Sequence, residues 1–225
     1  MVKKVLVCLI SFLLLSSTLG PVNAADLPRA SDGQINEAMT KIVPLRILPS
    51  NPFYFLIVGK ETVLRVFQPS SAKRTEYDLV LSGKRLKESY LLLLRDNEKD
   101  ASENMTRYTQ RMRMMIEGME KARAQKQDIT NIVSEIAENL KSHEALLFAI
   151  QKKESGNNKY NFGANYQAAV AVFVDAVWAI NKFQPGISDR FKSATESAKP
   201  EIDNSPKSPG FIEASPGSQP SRIIY

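Results

Sequence analysis

Apolar residues recur at spacings of three and four over most of the chain, and prolines, glycines and short polar stretches cut them into separate helical segments. Residues 25–43 are mixed and polar, with a short helix around Gln34 to Ile42. Pro44 and Pro49 then lead into Ser50, Asn51 and Pro52, which read as a cap followed by proline in the first turn of a helix. Phe53, Leu56, Ile57, Lys60, Val63, Leu64 and Phe67 keep a helical stripe until Gln68 and Pro69 stop it, predicting a helix over about 52–67. Ser70 or Ser71 caps a second helix over about 71–95, in which Leu79, Leu86 and Leu93 recur every seven residues and Tyr90 and Leu94 fill the seam. At 1.5 Å per residue that helix is roughly 37 Å long.

Beyond a polar stretch, Asp96 to Ser102, the residues Met105, Tyr108, Met112, Met115, Met119 and Ala122 alternate spacings of three and four in a heptad-like pattern. Past Asp128, Ile129, Ile132, Ile136, Leu140, His143, Leu147 and Ile150 continue a similar stripe to about Lys153. Matching lengths and short connections predict antiparallel neighbours, so the fold class is all-α, an up-and-down helical bundle over 44–153. A loop from Glu154 to Ala164 leads to a helix over about Asn165 to Phe183, apolar at every position from Ala168 to Ile180 but Asp175. Its apolar surface is not confined to one stripe. Pro185 and Gly186 end it, a short helix over Ser188 to Ser197 closes the 154–197 region, and the Pro/Ser/Gly-rich tail, 198–225, reads as disordered.

The N-terminus follows a different pattern. Lys3 and Lys4 precede an apolar run from Val5 to Leu19, broken by Gly20 and Pro21, and Val22 and Ala24 fit signal-peptidase cleavage before Ala25. The run is shorter than the roughly 20 residues that span a bilayer. A cleaved signal over 1–24 predicts an exported protein of the periplasm or cell surface, away from ATP, nucleotide cofactors and nucleic acid. It also takes the only cysteine, Cys8, with it. Val7 is too large for the residue that precedes a lipidated cysteine.

Charge and candidate chemistry add little to this picture. Without Lys3 and Lys4, 28 basic residues face 24 acidic ones, an excess too diffuse to name a polyanionic ligand. His143, the only histidine, lies on the apolar stripe and reads as a core residue. A di-iron bundle needs Glu-x-x-His, and Leu140 stands three residues before His143. Met105, Met112, Met115 and Met119 share the seam with Tyr108 and read as core rather than as copper ligands, while Met114 leaves the stripe. Serines lack a nucleophile-elbow turn, Glu135 and Glu138 read as an ordinary solvated pair, and no base is free for a triad, so no enzyme, cofactor or metal site is predicted.

The run Ile47 to Leu56 (Ile-Leu-Pro-Ser-Asn-Pro-Phe-Tyr-Phe-Leu), followed by Lys60-Glu61 and by Lys84-Arg85-Leu86-Lys87-Glu88, resembles the bacterial domain of unknown function (DUF) 5667 family over about Pro44 to Lys153. The resemblance implies an export signal, a proline-aromatic helix start and a long helical hairpin region. His143 also fits a histidine of the family's last helix, and Ile57 departs from a position commonly basic. No activity or catalytic residue comes with the resemblance.

The expected role is binding rather than catalysis: an exported interaction protein that engages a protein partner or a second copy at the cell envelope. Phe173, Val174, Val177, Trp178 and Ile180 cannot share one face, so Phe173, Val177 and Trp178 are the candidate partner contacts. An alternative is peripheral contact with anionic lipid or cell-wall polymer through Lys84, Arg85, Lys87, Arg111 and Arg113, although interleaved Glu88, Glu103, Glu117 and Glu120 offer intrahelical partners. A third is a metal or redox-stress role for the Met-rich helix.

Overall fold

The computed structural model describes residues 27–45, 47–153 and 160–191, which form six α-helices and a closing 3-10 turn. The signal over 1–24, residues 154–159 of the loop expected over 154–164, the part beyond Phe191 of the helix expected over 188–197 and the tail over 198–225 lie outside the described residues. In chain order the helices are α1 (Asp32–Lys41), α2 (Tyr54–Val66), α3 (Ser71–Leu93), α4 (Glu98–Ala124), α5 (Thr130–Lys153) and α6 (Phe162–Phe183), with the 3-10 turn at Ile187–Phe191.

Local chemistry sets the ends. Ser31 and Gln34 form a capping box at α1, each side chain bonded to the other's backbone amide. Ser70 accepts from the Lys73 amide at the start of α3, and Asn97 accepts from the Asp100 amide at the start of α4. That cap draws most of the stretch Asp96 to Ser102, expected as a linker, into the helix. Asp128 accepts from the Thr130 amide at the head of α5, and that bond lowers its pKa.

The helices alternate in direction, but their neighbourhoods do not follow chain order. α3 packs against α4 and α5, and α6 packs against the same two helices from the opposite side. α4 and α5 therefore face each other diagonally across the core. The five residues between them reach at most about 18 Å, well short of either helix, so α5 starts at the end where α4 stopped. The link crosses the head of α3, where Ser71 Oγ donates to Gln125 Oε1 at 2.9 Å and the Ala72 amide donates to Gln127 Oε1 at 3.0 Å. Similar lengths and short links dictate direction, and these side-chain bonds hold the link against the head of α3.

The core follows the stripes. Leu86, Met105, Tyr108, Met112, Met115, Met119, Ile136, Leu140 and Leu147 are fully buried, whereas Met114 is exposed. His143 stands beside Tyr108, ring centroids 5.7 Å apart and edge to face. Its closeness to α3 requires Gly83, because a Cβ there would lie 2.9 Å from His143 Nε2. A glycine inside a helix costs about 1 kcal/mol, offset here by the close contact it permits.

Replacing Leu86 or Leu140 by alanine is expected to cost about 2 to 5 kcal/mol in urea denaturation, and losses below about 1 kcal/mol at both sites would place the core elsewhere. Burial lowers the pKa of His143 to about 3 from an ordinary 6.5. A depressed folded pKa gives stability that is whole above 6.5 and lost as pH falls toward 3, at up to about 1.4 kcal/mol per pH unit. His143→Gln is expected to remove that loss, read as the difference between urea midpoints at neutral and mildly acid pH.

Candidate functional site

α2 is turned inside out. Phe53, Phe55, Leu56, Val66 and Phe67 are 58 to 77% exposed, and Val63 and Leu64 also face solvent. The face toward the bundle is led by polar residues, Tyr54, Glu61 and Arg65 at positions i, i+7 and i+11, with Ile57 and Val58 half-buried between them. The apolar stripe of the sequence is present, but its default direction toward the core is reversed. α2 touches the rest of the fold mainly through α3, and only sparsely.

Two buried charge clusters hold it there. In the first, Arg85 of α3 bonds Glu61 of α2 and the Tyr54 hydroxyl, and donates to Glu88 Oε2 at 2.7 Å. Glu88 Oε2 also accepts from the Tyr54 hydroxyl at 2.7 Å and from Asn104 of α4 at 3.3 Å. Lys84 pairs with Glu61 and stands 3.8 Å from Glu88 Oε1. The Tyr54 ring lies near two guanidiniums, with Arg85 and Arg107 5.5 and 5.8 Å from its centroid. In the second cluster, Asp78 of α3, fully buried, receives Arg65 of α2 at 2.8 Å and Arg111 of α4 at 3.0 Å. One carboxylate thus joins three helices.

Burial dominates the electrostatics. It pushes the Glu88 carboxyl up to about 7 against the opposing pull of Arg85 and Lys84, and it draws the Arg85 guanidinium down. These groups pair across the helices and are largely closed off from solvent, an arrangement suited to fastening a helix. Among the described residues no group of acidic and histidine side chains could hold a metal ion. A cleft between α1 and α5 carries Glu37, Glu138 and Glu144, with burial raising Glu144 to about 7; Glu138 is already paired with Lys141 and Arg190 at 3.0 and 3.1 Å.

Most of the side chains expected to meet a partner are occupied elsewhere. Phe173 and Val177 are buried, because α6 is covered by α4, α5 and the 3-10 turn rather than on one side alone; Phe173 stacks edge to face on Phe191 at 5.8 Å. Although α6 is long and apolar enough to cross a membrane, 56% of its most apolar stretch is buried in protein. Trp178 is 41% exposed, in a groove with Arg113, Glu117, Glu120, Asp175 and Lys182. The anionic-surface set is corrected likewise. Arg85 and Lys84 are consumed by Glu61 and Glu88, and Arg111 by Asp78. Lys87 donates to the carbonyls of Met39, Ile42 and Val43 at 2.6, 3.1 and 3.3 Å, a cation at the C-terminal end of α1. Only Arg113 of the five is exposed. The missed residues were Tyr54, Glu61 and Arg65 of α2 and Asp78 of α3, and a signal existed: Tyr54, Glu61 and Arg65 share one face of α2, and Asp78, Arg85 and Glu88 share one face of α3.

Unequal consequences are expected from removing the two arginines. Arg85→Ala removes the guanidinium that bonds both Glu61 and Glu88, leaving Lys84 as the one cation for two buried carboxylates, and is expected to cost about 3 to 5 kcal/mol, whereas Arg65→Ala leaves the single carboxylate of Asp78 its Arg111 partner and costs markedly less. The Glu88 contribution has the opposite pH sign to that of His143: its raised pKa makes stability fall as pH rises through about 7. Urea titrations of both variants across that range check the ranking and the slope.

No curated protein and no solved structure matches this chain. A family model does, over residues 46–154. That span holds every member of both clusters, from Tyr54 to Arg111, together with the helices that carry them. Through these residues the 46–154 segment, just under half of the chain, matches the family described as Domain of unknown function (DUF5667).

Proposed function

We propose that this chain is an exported, non-enzymatic interaction protein of the cell envelope that docks through the outward face of α2. The observation behind this reading is the inversion itself: a helix fastened by its polar side, with Phe53, Phe55, Leu56, Val66 and Phe67 presented to solvent. Contiguous exposed apolar surface of this kind marks interaction sites in soluble domains. The signal-like pattern of Lys3, Lys4 and the apolar run from Val5 to Leu19 supports a docking event outside the cytoplasm. Candidate partner contact thereby moves from α6, where Phe173 and Val177 are core, to α2.

The test is sedimentation of the exported form, from Ala25 onward, with envelope fractions of its own cells. Phe55→Asp combined with Val66→Asp is expected to abolish co-sedimentation while leaving helicity and melting temperature unchanged, since both side chains are exposed. Trp178→Ala is expected to have no effect. If Trp178→Ala releases the protein and the α2 variant does not, docking belongs to α6 and the α2 reading fails.

A further inference from the structure

The outward face of α2 has a composition that narrows what it can meet. Its only exposed charge is Lys60, and the one acid of the helix, Glu61, is turned inward and paired. Thr62 spends its hydroxyl on the Val58 carbonyl within the helix. The face therefore offers one cation, no anion and almost no hydrogen bonds, whereas a protein interface of ordinary size carries on the order of ten. Of the other polar side chains of α2, Glu61 and Arg65 are paired on the bundle side.

We infer that this face docks on the surface of an anionic phospholipid bilayer, with α2 lying in the membrane plane. The inference rests on the docking reading above and names its partner. Thirteen residues make a helix of about 20 Å, too short to span a hydrocarbon core of about 30 Å but suited to the headgroup boundary. Three phenylalanines, Phe53, Phe55 and Phe67, supply apolar bulk to enter the acyl boundary. Lys60 sits mid-helix among them, and its long stem can lie along the apolar surface while the ammonium reaches lipid phosphate.

The same lysine argues against a second copy as occupant. A two-fold antiparallel contact centred on this face brings two Lys60 side chains together, with no exposed carboxylate on α2 to separate them. The chain beyond Phe191 is a poor occupant too, because Pro200, Pro206, Pro209, Pro216 and Pro220 interrupt any stripe that could match a helix of this length.

The experiment is flotation of the exported form with protein-free vesicles of phosphatidylcholine, with and without phosphatidylglycerol. Binding is expected to be strongest with phosphatidylglycerol and to fall at least about tenfold in Phe55→Asp with Val66→Asp. Lys60→Glu is expected to lower binding only to the phosphatidylglycerol vesicles, and added salt to remove that same part. Melting temperatures of both variants verify that the fold is intact. Binding to native envelopes but not to either vesicle overturns the bilayer assignment and leaves a protein partner with the docking reading standing. Binding to neither envelopes nor vesicles overturns both. Vesicle binding insensitive to the α2 variant, or a dimer in sedimentation equilibrium that the variant dissociates, also overturns the assignment.

Discussion

A carboxylate taken out of water keeps its place only while a cation stays beside it, and this requirement at Glu61, Asp78 and Glu88 fixes how α2 sits on the bundle. Apolar packing alone would choose the opposite orientation, with the stripe of Phe53, Leu56, Val63 and Phe67 inward. That orientation would take Tyr54 from Glu88, Glu61 from Arg85 and Lys84, and Arg65 from Asp78, and would seal the remaining charges under side chains that cannot bond to them. Each uncompensated buried charge costs about 3 to 5 kcal/mol, while a fully buried Phe or Leu side chain gains about 1.5 to 3. On a surface made of Asp78, Lys84, Arg85 and Glu88 the apolar gain is also incomplete, so the charges decide the direction.

The segments that carry the family resemblance are Ile47 to Leu56, Lys60-Glu61 and Lys84 to Glu88, and side chains from all three meet in space although up to 34 residues apart in the chain. Tyr54 comes from the first, Glu61 from the second, Lys84, Arg85 and Glu88 from the third, and all five meet in one cluster. The motif is the chemistry of one contact between two helices. Lys87, in the same short run, serves a separate contact by holding the end of α1. Geometry of this kind gives direction: guanidinium and carboxylate pair in fixed orientations, whereas an apolar seam tolerates sliding.

Helix boundaries and the core were legible because their determinants are local. The Ser70 cap, the prolines around α2 and the methionine heptads of α4 lie within a few residues of what they control. The facing of α2 was not legible in the same way, because an amphipathic stripe says which residues share a side and not which side meets protein. Lys84, Arg85 and Lys87 read as a solvated basic cluster because the helix that covers them and the terminus that Lys87 caps come from earlier in the chain. The diagonal placement of α4 and α5, with Gln125 and Gln127 bonded to the head of α3, is a choice no periodicity encodes. Phe173 and Val177 were assigned to a partner on the premise of one covering neighbour, and α6 has three.

α6 begins at Phe162, eight residues past the end of the family match, yet it closes the bundle against both α4 and α5. The segment defined by sequence similarity and the segment that can exclude water are thus different objects. A boundary drawn at residue 154 runs through the middle of an oil-filled interior, leaving one wall of it on the other side. Any protein that carries only the matched span inherits an open hydrophobic trough, and must find its fourth wall in whatever sequence follows or in another chain.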